Sequence, residues 1–264
     1  MRHFLRLAIA VLALAVGPVP ATAQTADEIM ARVDARDDGD NGTSVIEMVL
    51  IDKSGHRRTR SIQSFTRDKG ADTQRLMFFL APEDVRGTGF LTYDFGAPNR
   101  DDDQWIYLPE LRKTKRIATS DKSGSFMGSD FSYADMTRRE LEEWNVTLLR
   151  EEQVRGKKTW LIEAVPASRA VRNRYGYEKS VVFVQQDNFM VVRAVHWLTD
   201  GRLKYQDVKQ MRRTSGIWVA TEIDMRTVRG KTTEHQTVLR LRDVKFGQPL
   251  DDGMFSIRRL EQGP

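Results

Sequence analysis

The four histidines are the first residues to test for chemistry, because imidazole serves both as a metal ligand and as a general base. His3 lies in an N-terminal apolar segment, His56 lies in a turn, and His196 and His235 lie on predicted strands far apart in sequence. None has a second ligand at the i+2 or i+4 position, and the H-E-x-x-H pattern is absent. The sequence therefore predicts no zinc site.

Other patterns that carry chemistry are equally weak. Asp101-Asp102-Asp103 could attract a hard cation, but its spacing is not that of a calcium loop and favours a solvated turn. The glycines of Gly87-Thr88-Gly89 and of 124–128 match neither nucleotide fingerprint, and no G-x-S-x-G elbow occurs. The chain has no cysteine, which excludes thiolate nucleophiles, thiolate metal sites and disulfides. We therefore expect no enzyme, no catalytic residue, no metal and no cofactor.

The N-terminus has the order of a secretory signal. Arg2 and Arg6 precede an apolar run over 7–16, and Ala21-Thr22-Ala23 supplies small residues for cleavage after Ala23. The run is shorter than the ~20 residues that span a bilayer, so a retained anchor is the less favoured alternative. The next residue is Gln24 rather than a lipid-accepting cysteine. We expect an exported, unanchored protein whose residues 24–264 form a single domain.

The charge pattern argues against a nucleic-acid partner. The formal charge of +5 falls to +3 once Arg2 and Arg6 leave with the signal. Charged residues make up 30% of the chain, with both signs interspersed. A nucleic-acid-binding protein would show a basic patch within a recognisable module. A soluble surface is the better interpretation.

The chain is predicted to be mainly β. Thr25 and Glu28 form a capping box that opens a short helix. From Ser44 onward, apolar residues alternate with polar ones between short turns, which indicates about eleven antiparallel strands. A short helix is expected at about 137–144. Within one strand the alternation places these side chains on a common face: Ile217, Val219, Ile223 and Met225.

A single antiparallel sheet must hide its apolar face. We predict an incomplete antiparallel β-barrel with a short α-helical lid. The candidates for the lid are the N-terminal helix, the helix after Tyr133 and the stretch 251–260. Such a shape encloses an apolar hollow, which could hold a lipophilic ligand or could simply be a filled core.

Two sets of residues are candidates for binding. The wall of the hollow is predicted to include Leu76, Phe78, Phe90, Trp105, Tyr107, Phe183, Met190 and Trp197. A gate loop within 120–135 would carry Phe126, Met127, Phe131 and Tyr133. Core packing explains each of these residues equally well.

A basic strip follows one predicted strand and consists of Arg112, Lys113, Lys115 and Arg116. It could dock an anionic lipid headgroup or an acidic partner. Alternatively, it is a charged face that guards a sheet edge.

Several segments resemble the outer membrane lipoprotein-sorting protein family, which is LolA-like. The most specific is the block from Trp105 to Asp135, which contains Trp105-Ile106-Tyr107-Leu108-Pro109 and Phe126-Met127-Gly128-Ser129-Asp130. Gly87 to Leu91, the helix after the signal and Asp251 to Phe255 also resemble it. The resemblance implies a half-open barrel of roughly eleven strands with a helical lid, a cavity for acyl chains and a periplasmic location. It also implies work beside inner-membrane exporters of the RND type.

The sequence thus predicts a periplasmic carrier that shields a lipid or lipoprotein acyl chain in a hydrophobic cavity. We expect a monomer with transient membrane-surface contact, an RND-type transporter as partner and no nucleic acid. The alternative is a sensor or partner-binding module with the same fold and no cargo.

Overall fold

The structure is a computed structural model that describes residues 24–97 and 100–264. The predicted signal peptide, with its cleavage after Ala23, lies outside the described residues. Within the described ranges, no helix combines the length and apolar character needed to cross a membrane.

Strands dominate the described part of the chain. Thirteen are present: β1 (Gly42–Asp52), β2 (Arg57–Lys69), β3 (Asp72–Ala81), β4 (Gly89–Asp94), β5 (Asp103–Leu108), β6 (Lys113–Arg116), β7 (Trp144–Val154), β8 (Lys157–Pro166), β9 (Tyr177–Gln185), β10 (Val191–Leu198), β11 (Leu203–Thr214), β12 (Ile217–Arg229) and β13 (Thr232–Lys245). The prediction of a mainly β, antiparallel and incompletely closed architecture is confirmed, with thirteen strands where about eleven were expected.

All strands form one open antiparallel sheet in the order β6-β5-β4-β3-β2-β1-β13-β12-β11-β10-β9-β8-β7. Each connection but one joins strands that are neighbours in the sheet. The exception is the connection from β6 to β7, which must run from one edge of the sheet to the other. We call this connection, residues 117–143, the strap.

In the described ranges, three α-helices and several 3-10 turns complete the fold. The helices are α1 (Ala26–Asp34), α2 (Arg169–Tyr175) and α3 (Ile257–Gln262). The 3-10 turns are Glu83–Val85, Pro109–Leu111, Thr119–Asp121, Phe126–Gly128, Ala134–Met136, Leu141–Glu143 and Asp252–Met254. The capping box at Thr25 and Glu28 opens α1 as predicted. The helix expected at about 137–144 is wrong, because that segment contains only a 3-10 turn.

We call the face of the sheet that contacts α1 and the strap the inner face. Ile29 of α1 is fully buried there against Ile162 and Val182. On the other half of the sheet, Phe126 and Phe131 of the strap pack in a buried cluster. The sheet residues of that cluster are Met48, Leu50, Ile62, Met77, Phe79, Phe90, Ile106 and Met225.

The C-terminal stretch covers the opposite, outer face. Leu260 of α3 and Phe255 pack against Leu76, Phe78 and Leu91. The stretch 251–260, a candidate for the lid over the hollow, is therefore not part of that lid. The reason lies in β3, where four consecutive buried apolar residues, 76–79, present side chains to both faces, so that both faces need cover.

Candidate functional site

The aromatic residues of the strap are buried rather than exposed. Phe126 is 1% and Phe131 is 6% exposed. The Phe126 ring lies 4.9 Å from that of Phe90 and 6.2 Å from that of Phe79 between centroids. The segment folds back on itself, since Phe126 N donates to Phe131 O at 2.7 Å. These side chains of the strap cover the inner face on one half of the sheet.

Asp130 fixes the middle of the strap to two strands. Its carboxylate accepts hydrogen bonds from Thr227 Oγ1 of β12 at 2.6 Å and from Thr237 Oγ1 of β13 at 2.7 Å. His235 Nδ1 lies 2.7 Å from the second carboxylate oxygen. The Asp130 side chain is only 1% exposed, and its two bonds with the threonines are buried, whereas the His235 side chain is 24% exposed.

Asp135 fixes the next turn of the strap to the other half of the sheet. Its carboxylate accepts from Tyr177 OH at 2.7 Å and lies 3.2 Å from Lys204 Nζ. Lys204 Nζ also donates to Tyr177 OH at 3.0 Å. The His196 ring stacks on that of Tyr177 at 4.6 Å between centroids. Polar side chains in the interior of β9, β10 and β11 therefore serve to hold the strap.

Electrostatics keeps the ion pair of Asp135 and Lys204 charged. Burial would raise the pKa of Asp135, but the charges of Lys204 and Arg139 outweigh it and hold the pKa well below its usual value. Burial would lower the pKa of Lys204, yet the carboxylate of Asp135 keeps it above its usual value. Burial raises the pKa of Tyr177 to about 12, so its hydroxyl remains a donor.

The end of the strap is held at β3 and β4. Arg75 Nη1 donates to the carbonyl of Met136 at 2.8 Å, and Arg138 N donates to Asp94 Oδ2 at 2.6 Å. Burial, together with the negative charge of Asp102, raises the pKa of Asp94 to about 6. This carboxylate thus titrates nearer to neutrality than a solvated aspartate does.

Ser180 and His196 form the pair that most resembles a nucleophile and its base. Ser180 Oγ lies 2.7 Å from His196 Nδ1. Ser180 is fully buried, so no substrate could reach its hydroxyl without a rearrangement of the sheet. Burial, with the charge of Arg139, lowers the pKa of His196 well below its usual value. We interpret the pair as a hydrogen bond of the core.

A cavity lies beside α1, over the edge strands β7 to β9. Its volume is about 350 Å³, and its apolar lining consists of Met30, Ala31, Leu141, Trp144, Val146, Ala164 and Val182. The exposed carboxylates of Asp27 and Glu142 also contribute to its lining. Volumes of this size are at the lower end of those of small-molecule sites.

Two further cavities continue this one along the inner face. The second, of about 430 Å³, shares Met30, Arg139, Leu141 and Val182 with the first and extends to Phe131. The third, of about 390 Å³, adjoins the second at Arg36, Asp38 and Ile223. Apolar side chains that line the second cavity include Val33, Val191, Ala194, Ile223 and Met225. Together the three form a trough between α1, the strap and the sheet.

Arg139 stands where the first two cavities adjoin. Its guanidinium carbon lies 5.0 Å, 5.6 Å and 5.4 Å from the ring centroids of Trp144, Tyr175 and Tyr177. The side chain is 29% exposed. Three aromatic faces around one cation orient the guanidinium by cation–π attraction.

The predicted wall and gate residues are distributed over both faces. Those on the inner face, in the cluster with the strap, are Phe90, Phe126, Met127, Phe131 and Tyr133. Those packed on the outer face with α3 are Leu76, Phe78, Trp105 and Tyr107. Phe183 and Met190 belong to a cluster near the end of β10, and Met190 also lines the third cavity. Trp197 alternates with the cavity-lining His196 and carries Lys179 Nζ 4.8 Å from its ring centroid.

Of the residues that line the trough, the predicted wall and gate included only Phe131 and Met190. Met30, Arg139 and Val182 were absent from the predicted wall. The sequence offered no signal for Val182, because the four consecutive apolar residues 181–184 do not reveal which face of β9 lies inside. No sequence pattern indicates that α1 would lie across that strand.

The basic strip lies at the free edge of the sheet. Arg112, Lys113 and Lys115 are exposed, whereas Arg116 forms an ion pair with Asp103. The preceding turn presents Leu111, which is 67% exposed. An apolar tip flanked by cations is the composition that favours contact with an anionic lipid surface.

Comparison with solved structures places the fold in a class. A domain assigned to outer membrane lipoprotein sorting from Vibrio parahaemolyticus is 28% identical, with a TM-score of 0.81, over 89% of this chain and 98% of its own. A DUF1329 family protein from Desulfovibrio piger is 28% identical, with a TM-score of 0.80, over 89% of this chain and 97% of its own. A LolA superfamily protein from Nitrosomonas europaea is 20% identical, with a TM-score of 0.67, over 90% of this chain and 100% of its own. The resemblance to LolA-like, lipoprotein-sorting proteins is thus confirmed.

A family model described as "uncharacterized protein" matches residues 71–262. That range contains the strap, both of its buried carboxylates and Arg139. Because the match covers well over half of the sequence, the chain belongs to this family of LolA-like fold. No curated protein matches the sequence significantly.

Proposed function

We propose that the protein is a carrier that binds a lipid or lipoprotein acyl chain in the trough between α1 and the sheet. The observation that carries the proposal is the run of adjoining, largely apolar cavities on the inner face. The similarity to lipoprotein-sorting structures at 28% identity supports the same class of cargo.

Burial of methylene groups supplies the affinity. Each CH₂ removed from water contributes about 0.8 kcal/mol, so eight methylenes contribute about 6 kcal/mol. A carrier must also release its load, and non-directional apolar contacts allow a chain to slide out without breaking many polar bonds. The lining of Met30, Leu141 and Val182 supplies contacts of this kind.

The setting of this activity is the second part of the proposal. The predicted signal would deliver the chain to the periplasm, where a monomer would pass between membranes. An inner-membrane transporter of the RND type would donate or accept the cargo. The basic strip, with Leu111 at its tip, would make the transient contact with an anionic membrane surface.

Lipid content and uptake test the carrier function. The mature protein would be purified without detergent, extracted for lipid mass spectrometry and titrated with a fluorescent fatty acid. We expect co-purified lipid and saturable uptake. Met30→Trp should reduce uptake, because the indole would occupy the boundary of two cavities. Ala35→Trp, at an exposed position just after α1, is the matched control and should bind as the wild type does.

Two results would contradict the proposal. One is the repeated absence of lipid together with no uptake of the fatty acid by the wild type. The other is unchanged uptake by Met30→Trp, which would place any binding outside the trough. The first result would favour a module that senses or binds an envelope partner without cargo.

A further inference from the structure

Arg139 is a cation with unused hydrogen-bonding capacity in an apolar cavity. Within the described part of the chain, its guanidinium donates no hydrogen bond to a protein acceptor at normal distance. Its nearest carboxylate is that of Asp135, with Nη2 and Oδ1 3.9 Å apart. The three surrounding rings hold the group but accept no conventional hydrogen bond.

Arg139 also lacks a carboxylate of its own, because the nearest one, Asp135, is paired more closely with another cation. Asp135 is already neutralised by Lys204 at 3.2 Å and accepts the hydroxyl of Tyr177. One carboxylate therefore faces two cations, and Arg139, which lines both cavities, is the more distant of the two at 3.9 Å. The exposed carboxylates of Asp27 and Glu142 line the first cavity but lie more than 4 Å from the guanidinium. The neighbouring Arg138 differs, because it lies 3.6 Å from Asp34 and 3.9 Å from Glu140.

We propose that Arg139 binds the anionic headgroup of the cargo, and that the cargo is an amphiphile with an acyl chain and a carboxylate or phosphate head. This inference rests on the proposed carrier function and adds the orientation in which the cargo binds. The head lies at the junction of the first two cavities, and the chain extends from there into the second cavity along Val33, Val191 and Ala194.

The chemistry of arginine suits this role. Its planar fork of donors matches the oxygens of a carboxylate or phosphate, and it loses little hydration when it stacks on aromatic rings. A hydrogen bond to a charged group contributes about 1.5–3 kcal/mol, which corresponds to roughly 10- to 100-fold in affinity. A lipid with an uncharged head would leave the guanidinium without its acceptor and would bind more weakly by that factor.

Chain-matched probes test the proposal at pH 8. Hexadecanoate, hexadecanol and inorganic phosphate would each compete with a bound fluorescent fatty alcohol, whose own head is uncharged. For the wild type we expect hexadecanoate to bind at least about 10-fold more tightly than hexadecanol. Phosphate alone should neither bind nor compete at millimolar concentration, because it lacks the chain.

Variants test whether Arg139 causes the preference for hexadecanoate over hexadecanol. Arg139→Gln should lose the preference while its affinity for hexadecanol stays within about twofold, and Arg139→Lys should retain part of it. Arg150→Gln removes the same charge at an exposed position on β7 and should keep the full preference. Melting temperatures and hexadecanol binding confirm that each variant is folded.

The outcomes separate the two proposals. Equal binding of hexadecanoate and hexadecanol by the wild type would overturn the headgroup site and leave the carrier function standing. Competition by phosphate alone would also overturn it, in favour of a site for free anions. Binding of neither chain would overturn both proposals. A preference that survives in Arg139→Gln would assign the headgroup to another residue.

Discussion

Removal of the Asp135 charge provides the strongest test of how the strap is held. In Asp135→Asn the side chain keeps its shape and can still accept from Tyr177, but Lys204 is left buried without a counter-charge. The two side chains are 8% and 6% exposed, so solvent cannot replace the lost partner. Breaking a buried ion pair by removal of one member costs about 3–5 kcal/mol.

This cost translates into a measurable change in melting temperature. For domains of this size, each kcal/mol shifts the midpoint by roughly 2–4 °C, so we expect a fall of about 6–20 °C. The double variant Asp135→Asn with Lys204→Met removes both charges and should recover at least half of the loss. Glu152→Gln breaks the exposed pair with Arg150 and should change stability by less than about 1 kcal/mol.

The pH dependence carries a defined sign. Because the folded-state pKa of Asp135 lies below its unfolded value, its stabilising contribution is present above about pH 4 and is lost as the pH falls further. The gap between wild type and Asp135→Asn should therefore be constant from about pH 5 to 8 and narrow only below pH ~4. A single variant that melts within 2 °C of the wild type, or a double variant no better than the single, would refute the reasoning.

Three further predictions test other parts of the fold. In Gly89→Ala the new Cβ would lie 2.5 Å from Leu260 Cδ1 and 3.3 Å from Leu260 O, so α3 should shift. The free energy of unfolding should fall by about 1–3 kcal/mol, and tryptic cleavage near the C-terminus should become faster. The raised pKa of Asp94, about 6, means that the folded state binds its proton more tightly. The wild type should therefore gain about 1–3 kcal/mol between pH 7 and 4.5, whereas Asp94→Asn should show a flatter denaturation profile. Leu111→Glu should weaken co-sedimentation with anionic vesicles and leave uptake of the fluorescent fatty acid unchanged, whereas unchanged sedimentation would argue against membrane contact at the basic strip.

The strands could be predicted because half-buried antiparallel strands display their period directly in the sequence. The alternation failed where the ladder is irregular. Gln210 pairs with Glu222 but Met211 pairs with Ala220, so Thr221 is left out of the register. Val219 and Ile223, expected on a common face, lie on either side of this irregularity, and both line the third cavity.

The strap could not be predicted for a different reason. Its role follows from topology, because only this connection has to cross from one edge of the sheet to the other. Asp130 and Asp135 look like ordinary loop carboxylates in the sequence. Their partners, such as Thr237 and Lys204, look like polar interruptions of distant strands. The role of the strap carboxylates and of the polar strand residues becomes clear only in the folded chain, where each binds the other.

The same topology resolves the alternative between a filled core and a hollow. On the half of the sheet from β1 to β5, the strap fills the inner face with Phe126 and Phe131. On the half from β7 to β10, α1 covers the sheet less completely, and the adjoining cavities remain. The core is therefore filled mainly under the strap, whereas cavities remain beside α1 and extend to the start of β1.

The difference in anchoring predicts which element opens first. Buried carboxylates, Asp130 and Asp135, fix the strap, whereas α1 is held mainly by apolar contacts of Ile29 and by the partly exposed pair of Asp34 with Arg138 at 3.6 Å. Local opening is easiest where few buried polar bonds must break. Amides of α1 should therefore exchange hydrogen faster than that of Phe126, which donates to Phe131 inside the strap. If the Phe126 amide exchanges faster than those of α1, the gate lies in the loop 120–135, as the sequence suggested. If it exchanges more slowly, the entrance of the trough lies at α1.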